Sequence, residues 1–380
     1  MHVLIAPNAF KNSLSAEDAA LAISEGFLES KLVCTTKCFP IADGGDGTAT
    51  LLVKYLAGEW IKTKVRDPLG RNIESSFGWV EKSKTAIIEL AAASGLRLLD
   101  PGEYDPLNAN TAGTGDLLLK TLDHAPNQII ICIGGSATVD AGSGLLKTLG
   151  VKFFDEAGCG LTTFPSQLSQ ISTIDLAGID SRIHGTAIRV FCDVDNKLLG
   201  SSGAAAIYSP QKGASEKDVM ILEKMLSHFN NVTQETTGID MSSLKYGGAA
   251  GGIAAALHTF LNANLEKGIY SFLDMTDFEN ELLCADLVIT GEGTIDLQTL
   301  EGKGPFGVAE RAKSKSIPVF GLAGKIPHTA EQKLSDHFDR LYSINEDVTD
   351  LMTAMTNTFT NLKATATKIG NELFFSNVQN

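Results

Sequence analysis

The chain has 380 residues, of which 43% are hydrophobic and 20% are charged. This length and composition predict a globular protein of two domains and argue against a disordered one. The 31 basic and 45 acidic side chains leave a net charge of −14, which argues against a protein that binds nucleic acid or an anionic membrane surface.

The first 60 residues alternate between strand and helix patterns. An apolar run at residues 3–6 predicts a strand, and Ser15 followed by Asp18 has the chemistry of a helix N-cap. Residues 33–39 predict a second strand and residues 48–56 a second helix. This order implies a parallel sheet covered by helices.

The middle of the chain has a different pattern. Residues 59–66 and 71–80 flank the turn sequence Asp67-Pro68-Leu69-Gly70, which predicts a hairpin, and residues 85–90 predict a third antiparallel strand. Mixed strands and helices continue to about residue 284. The strand-turn-helix pattern of residues 127–150 could belong to either domain.

The last hundred residues return to strand-helix units. Strands are predicted at 286–290, 317–322 and 338–344, and helices at 307–313, 330–336 and 348–373. The two initial and three final strands together predict a five-stranded flavodoxin-like sheet, interrupted by a second, mixed α/β domain. The predicted domain limits are 1–60 with 285–380 for the first domain and 61–284 for the insertion.

A loop with two acids follows the second predicted strand and opens a helix. Its residues 40–48 include Asp43, Gly44, Gly45 and Asp46. In open α/β sheets, ligands bind at this end of the strands. The carboxylates could hold a metal, accept a proton or bind a polyol; alternatively, the loop is a helix cap.

A second loop joins the apolar residues 129–133 to a helix. It contains Gly134, Gly135, Ser136 and Thr138. Exposed N–H groups before a helix attract phosphate or carboxylate, so we predict an anion site. The alternative is again a simple cap.

Acids also end a third predicted strand. Asp193 and Asp195 follow the apolar residues 190–192 and point to the same face by alternation. The pair could share a magnesium ion, or one could act as a general base; a capped turn is the alternative. Lys212, before Gly213, adds a candidate cation.

The loop after the strand at 286–290 is rich in glycines, acids and hydroxyl groups. Its candidate ligand-binding residues are Gly291, Glu292, Gly293, Thr294 and Asp296. We expect Lys11 and Lys303 to lie near the same sheet edge, where lysines could offset phosphate charge.

Several familiar sites are missing from the sequence: a Walker A loop, a serine nucleophile elbow and a zinc-protease helix. A G-x-G-x-x-G match at Gly302, Gly304 and Gly307 lies far beyond its strand and contains Pro305, so we treat it as coincidence. The six scattered cysteines predict free, buried thiols and, with no long apolar run, a cytoplasmic protein.

Six segments occur in the order found in glycerate kinases of the bacterial glycerate 2-kinase type, and the chain resembles that family along essentially its whole length. The segments are residues 10–16, 40–48, 134–142, 192–196, 210–214 and 288–298. The resemblance implies ATP-dependent phosphorylation of D-glycerate, with 2-phosphoglycerate favoured over 3-phosphoglycerate as the product. It also implies a flavodoxin-like domain with an inserted α/β domain.

Four positions depart from the family pattern, one of them Ala9, where the family more often has serine. Asn8 stands where the family more often has an acid, so no metal role is assigned to it. Asn12 replaces a common glycine, and Lys197 a common proline.

Phosphoryl transfer requires positioning, magnesium and charge neutralisation, and the candidate residues are assigned on that basis. The expected catalytic residues are Asp193 as base, Asp43 as the second choice for base, and Lys11. The expected glycerate-binding residues are Ser13, Gly44, Gly45, Asp46, Arg66 and Arg71. The expected nucleotide- or phosphate-binding residues are Gly134, Gly135, Ser136, Thr138, Gly291, Gly293, Thr294, Lys212 and Lys303. Magnesium is assigned to Asp296 and Glu292.

Other functions stay open at this stage. One is a nicotinamide-dependent oxidoreductase acting on a small hydroxy acid, and another is a non-catalytic sensor of a small acid. The sequence is compatible with a homo-oligomer. D-glycerate, ATP and magnesium are the small molecules that the resemblance implies, with no nucleic-acid or membrane partner.

Overall fold

The structure, a computed structural model, describes residues 1–296, 299, 303–327, 331–345 and 350–378. The chain divides into two compact units. The discontinuous unit comprises residues 1–43 and 269–380, and the continuous unit comprises residues 44–268. The domain limits predicted from the sequence, at residues 60/61 and 284/285, stay a prediction.

The strands are mostly short, and the most deeply buried are the central ones of the two large sheets. They are β1 His2–Ile5, β2 Thr35–Cys38, β3 Glu59–Arg66, β4 Asn72–Val80, β5 Thr85–Glu89, β6 Gln128–Cys132, β7 Lys152–Phe154, β8 Thr173–Asp175, β9 Ala187–Cys192, β10 Asn264–Lys267, β11 Leu287–Thr294, β12 Val319–Lys325 and β13 Arg340–Ser343.

The helices cover the sheets and connect the parallel strands. They are α1 Ala16–Glu29, α2 Thr48–Tyr55, α3 Ala91–Ser94, α4 Ala112–Leu122, α5 Ser143–Thr148, α6 Ala204–Tyr208, α7 Glu216–Thr237, α8 Ile253–Leu261, α9 Gly268–Met275, α10 Phe278–Leu283, α11 Gly304–Ser314, α12 Glu331–Leu334, α13 Leu351–Thr356 and α14 Thr358–Val378.

The discontinuous unit contains the predicted flavodoxin-like sheet. Its described strands have the order β13-β12-β11-β1-β2, and every pairing is parallel. Numbered within this unit alone, the order is 2-1-3-4-5, which is that of flavodoxin. The carboxyl ends of its strands therefore lie at one edge.

Helices α1 and α14 cover one face of this sheet. Ser15 caps α1 by accepting a hydrogen bond from the Asp18 N–H group at 3.0 Å, as its sequence predicts. Apolar side chains of both helices, including Ile23 and Ile369, are fully buried in one core. At Gly26 a Cβ atom would lie 2.3 Å from the Lys363 carbonyl oxygen, so only glycine permits this approach.

The continuous unit contains a mixed sheet with the order β10-β9-β6-β5-β4-β3. Strands β3, β4 and β5 pair antiparallel, as predicted from the turn at Pro68 and Gly70. Strands β5, β6, β9 and β10 are parallel. Residues 127–150, left open by the sequence, contribute β6 and α5 to this unit.

Two predicted helical segments have different bounds in the structure. Residues 348–373, predicted to be largely helical, contain α13 and α14, separated at Asn357; residue 348 lies outside the described residues. The helix predicted at 330–336 is described as α12 at Glu331–Leu334, and residue 330 lies outside the described residues.

The predicted burial of all six cysteines is also wrong. Cys132 and Cys192 are buried, but Cys38, Cys159 and Cys284 are exposed. All six are free thiols, as predicted. None of the described helices combines the length and apolar character needed to span a membrane.

Candidate functional site

Three polar side chains meet at the carboxyl edge of the flavodoxin-like sheet. Asn8 follows β1, Asp43 follows β2 and Glu292 lies near the end of β11. The Asp43 Oδ2 atom accepts hydrogen bonds from the Asn8 side-chain amide at 2.9 Å and from the Gly304 N–H group at 3.3 Å. Both donors fix the orientation of the Asp43 carboxylate, which is 7% exposed.

Glu292 is buried beside this carboxylate, with 7% of its surface exposed. Burial and then the charge of Asp43 raise its pKa to about 7, while Lys303, Thr299 and Lys11 oppose the shift. A carboxyl group with a pKa near neutrality is a candidate for a functional site. Lys11 and Lys303, which the sequence placed near this edge, thus lower the pKa of Glu292 against the effect of burial.

Thr299 connects the two residues assigned to magnesium. Its hydroxyl group donates to Glu292 Oε1 at 3.0 Å and accepts from the Asp296 N–H group at 3.1 Å. The Thr299 N–H group in turn donates to Asp296 Oδ1 at 3.2 Å. Asp296 and Glu292 are therefore coupled through one threonine.

The other predicted residues of this unit differ in role. A Cβ atom at Gly291 would lie 2.2 Å from the Leu322 carbonyl oxygen, so that glycine allows close strand packing. A Cβ atom at Gly293 would lie 3.7 Å from the backbone nitrogen of Lys11. Thr294 pairs with Lys325 in the β11–β12 register.

Ser13 is held by the C-terminal part of the same unit. Its hydroxyl group donates to the Met355 carbonyl oxygen at 2.6 Å and contacts Thr358 Oγ1 at 2.5 Å. These contacts restrain the loop that carries the exposed Lys11.

In the continuous unit, the loop at Gly44–Gly47 packs against the ends of neighbouring strands. The Gly134 N–H group donates to the Gly44 carbonyl oxygen at 3.1 Å. At Gly44 the backbone has φ +98°, and a Cβ atom would lie 2.8 Å from the Phe191 carbonyl oxygen. A Cβ atom at Gly134 would lie 2.5 Å from the Gly45 Cα atom. Glycine is thus required where the predicted loops touch.

Asp46 and Glu89 lie together at this loop. Asp46 forms an ion pair with Arg97 at 2.9 Å. Glu89, at the end of β5, accepts hydrogen bonds from the N–H groups of Gly47 at 2.7 Å and Ala49 at 3.0 Å. Its carboxylate caps helix α2, a role that the sequence analysis missed.

Lys212 is fully buried beneath the second glycine loop. Its Nζ atom donates to the Thr138 carbonyl oxygen at 2.7 Å and to Ser136 Oγ at 3.3 Å. Burial lowers the pKa of Lys212 to about 7, an effect that Asp140 opposes. The predicted residues Lys212, Ser136 and Thr138 therefore form one hydrogen-bonded cluster, and Gly135 adopts φ +73° in the same loop.

Asp140 ties that loop to helix α4. It accepts hydrogen bonds from the N–H group of Thr111 at 2.9 Å, from the hydroxyl group of Thr111 at 2.7 Å, and from the N–H groups of Gly142 and Gly144 at 3.1 Å each. Burial raises the pKa of Asp140, against these hydrogen bonds. The carboxylate is a structural anchor for the turn.

Asp193 lies directly after β9 and is partly buried. Its neighbour Asp195 forms an ion pair with Lys245 at 3.6 Å. The parallel strands β5, β6 and β9 thus carry Glu89, the Gly134 loop and Asp193 at the same edge of the sheet.

Arg66 and Arg71, predicted to hold the substrate carboxylate, are engaged with acids of the protein. Arg66 forms a bidentate pair with Asp116, at 2.8 and 2.6 Å. Arg71 pairs with Asp67 and, at 2.6 Å, with Glu103. Such fork-like pairs occupy the donors that a substrate carboxylate would use.

No group of three or more His, Cys, Asp or Glu side chains converges as a metal site among the residues that the structure describes. Magnesium, however, is commonly held by one or two carboxylates together with substrate phosphates. Glu292, buried beside the charge of Asp43 and linked to Asp296 through Thr299, fits a cation of this kind, because the cation would offset the repulsion between the two carboxylates.

A sequence profile of the glycerate kinase family matches residues 3–373, almost the full length. The chain belongs to the glycerate kinase family. Membership favours phosphoryl transfer over hydride transfer to nicotinamide. Gly302, the first glycine of the G-x-G-x-x-G match, lies outside the described residues, as do Leu297 and Gln298 of the last family-like segment.

Individual members of the glycerate kinase family are similar over most of the chain. A glycerate kinase of Bacillus subtilis (strain 168) is 42% identical and covers 90% of each chain. A glycerate 2-kinase of Escherichia coli (strain K12) is 39% identical and covers 95% of each chain. A crystal structure assigned as glycerate kinase 2 from Salmonella typhimurium LT2 has a TM-score of 0.82, 38% identity and 99% coverage of each chain.

Proposed function

We propose that this chain transfers the γ-phosphoryl group of ATP to a hydroxyl group of D-glycerate, and that the products are 2-phosphoglycerate and ADP. Family membership supports the reaction class. The observation that carries the site is the Asp43–Glu292 pair with Lys11 and Lys303 around it. Acids for a cation and lysines for phosphate are what phosphoryl transfer requires.

We propose that magnesium is held by Glu292 with Asp296. Thr299 supports this assignment, because its hydroxyl group binds Glu292 and also accepts from the Asp296 backbone. When bound, magnesium would neutralise charge on the β- and γ-phosphate oxygens. Lys303, which counteracts the raised pKa of Glu292, would add a second positive charge toward the phosphates.

The proposed phosphate cradle is the loop Gly134–Thr138, with Gly291–Thr294 as the second choice. Lys212 supports the first, because it donates to Thr138 and Ser136 from a fully buried position. These hydrogen bonds fix the conformation of the loop and therefore the orientation of its backbone N–H groups. A phosphate nearby would also favour the charged form of Lys212.

Asp193 is the proposed base that accepts the proton of the attacking glycerate hydroxyl group at a carboxylate oxygen. Its neighbour Asp195 already pairs with Lys245, which favours Asp193 of the two. Asp43 is the second candidate, and its two donors, Asn8 and Gly304, hold one carboxylate oxygen in place.

Lys11 is the proposed partner of the glycerate carboxylate. It is exposed on a loop that Ser13 restrains. Arg66 and Arg71 are less suited to this role because their guanidinium groups pair with Asp116, Asp67 and Glu103. Gly44, Gly45 and Asp46 remain the proposed contacts for the glycerate hydroxyl groups.

We also propose a reducing, cytoplasmic setting. Six free thiols, three of them exposed, support it.

Phosphorus NMR of the purified protein with magnesium, ATP and D-glycerate tests the proposed function. We expect a new phosphomonoester signal that requires both glycerate and magnesium. Coupling to the single C2 proton would split it into a doublet, whereas coupling to the C3 methylene would give a triplet. No product from folded protein would refute the kinase assignment, and a triplet would refute the 2-phosphoglycerate assignment.

A further inference from the structure

The carboxylate of Glu89 lies at the carboxyl end of β5 and is only 4% exposed. Its Oε1 atom accepts from the Gly47 N–H group at 2.7 Å, and its Oε2 atom accepts from the Ala49 N–H group at 3.0 Å. Both donors belong to the start of helix α2, where N–H groups have no partner within the helix. One long-range carboxylate therefore fixes the entry into α2.

The loop before α2 is held at its other end by different groups. The Thr48 hydroxyl group donates to the Gly45 carbonyl oxygen at 2.7 Å and accepts from the Gly44 N–H group at 3.1 Å. The Gly134 N–H group donates to the Gly44 carbonyl oxygen at 3.1 Å. Glu89 supplies the hold at the Gly47 end of the loop, next to Asp46.

We propose that Glu89 is a positioning residue, whose ionised carboxylate fixes the Gly44–Gly47 loop and thereby places Asp46 for substrate binding. This inference rests on the proposed function of that loop. Glu89 itself acts through the backbone and is not assigned a contact with substrate. A misplacement of about 1 Å in a substrate-positioning element can cost on the order of 10²-fold in rate.

The charges that act on Glu89 come from the same loop and from the segment after α3. Burial is the main cause that raises the pKa of Glu89 to about 7; the nearby charge of Asp46 adds to it, and the Gly47 and Ala49 N–H groups and Arg97 oppose it. From β6, the buried Cys132 faces it, with a thiol pKa raised well above its ordinary value by burial and by Glu89. Protonation would replace one acceptor oxygen by a hydroxyl group and weaken the hold on the loop.

The substitution Glu89→Gln tests the proposal. The amide keeps the size of the side chain, but its NH2 group replaces one acceptor oxygen and so faces a backbone N–H donor. We expect kcat/KM for D-glycerate to fall about 10²-fold. The wild-type enzyme should lose activity as the pH falls through 7. The variant should show a smaller loss, because Glu292, whose pKa is also raised to about 7, still titrates in it. A merely structural role would lower the Tm without altering the pH profile.

Asp155→Asn is the matched control. Asp155 also accepts two backbone N–H groups, those of Ala157 at 3.0 Å and Cys159 at 2.8 Å, in the same unit. It lies after β7, outside the proposed site. We expect this variant to keep the wild-type kcat/KM and pH profile, whatever the change in its stability.

Amide NMR of the wild-type protein tests the hydrogen bonds without an activity assay. The Gly47 and Ala49 N–H signals should titrate with a midpoint near pH 7. If they do not, or if Glu89→Gln keeps wild-type kcat/KM and pH dependence, the proposal is overturned. A wild-type protein that does not phosphorylate glycerate would instead refute the proposed function, and the amide titration would still report on Glu89.

Discussion

Asp43 and Glu292 reach the same sheet edge from strands on either side of β1, and the charge of Asp43 adds to burial in raising the pKa of Glu292 to about 7. The chain thus keeps two repelling acids in a buried position. Burying two like charges costs stability, which supports the proposed cation site. The arrangement also makes the edge sensitive to pH.

The free energy of unfolding should depend on pH because of the raised pKa of Glu292. The native Glu292 carboxyl binds its proton more tightly than the unfolded one, so its contribution to stability is complete below about pH 4.5 and is lost as the pH rises through 7. Urea unfolding of Glu292→Gln should show a weaker fall in the free energy of unfolding over that range, by on the order of 1–3 kcal/mol. Part of the fall will remain, because the pKa of Glu89 is raised in the same direction. Identical slopes for variant and wild type would contradict the prediction.

The identity of the base can be tested with isosteric amides. Asp193→Asn should lower kcat by about 10²–10⁴-fold if Asp193 accepts the proton. Asp43→Asn tests the second candidate base, Asp43, in the same way. Asp175→Asn is the control: Asp175 ends β8, and its carboxylate accepts the Ala177 N–H group at 2.9 Å. Near-normal turnover by both folded site variants would show that neither acid is the base.

Nucleotide binding should be coupled to proton uptake through Lys212. Burial lowers the pKa of this lysine to about 7, so at pH 8 most of the free protein carries it uncharged. Phosphate nearby would raise that pKa, and binding should take up close to one proton. Calorimetry of ATP binding in two buffers of different ionisation enthalpy measures this number. Lys212→Met should abolish the uptake and the exposed control Lys217→Met should not; equal uptake in all three proteins would contradict the prediction.

A single methyl group at Gly134 should disturb the packing of the two glycine loops. Its Cβ atom would meet the Gly45 Cα atom at 2.5 Å, and neither backbone can yield easily. Gly134→Ala should therefore lower the free energy of unfolding by about 1–3 kcal/mol and also reduce activity. At Gly160 a Cβ atom meets nothing within 4 Å, so Gly160→Ala should unfold at the wild-type denaturant concentration.

The flavodoxin-like sheet could be predicted because its signals are local. β1, β11 and β12 contain apolar runs and are followed by helix patterns, and acids after β2 and within β11 mark the carboxyl edge. The place of Asp43 and Glu292 at this edge was predicted for that reason. The antiparallel strands β3 and β4 were found from the turn at Pro68.

Residues whose role depends on distant partners were not found. Glu89 ends an apolar strand, and nothing in that segment indicates that α2, forty residues earlier, needs a cap. Arg66 was predicted to bind substrate as a basic residue near Lys11; its pairing with Asp116, fifty residues away, has no local signature. Asn8 was set aside for lacking a charge, although its amide orients Asp43.

The position of β11 in the sheet has a consequence for synthesis of the chain. β1 pairs with β2, which is made at once, and with β11, whose first residue is Leu287. At about 5–20 residues per second, translation of the intervening segment takes roughly 10–50 s. For that time one edge of β1 has no native partner, while the whole of residues 44–268 emerges from the ribosome. Unpaired strand edges favour mispairing, so we expect the β1–α1–β2 segment to be exposed to mispairing until β11 has been made.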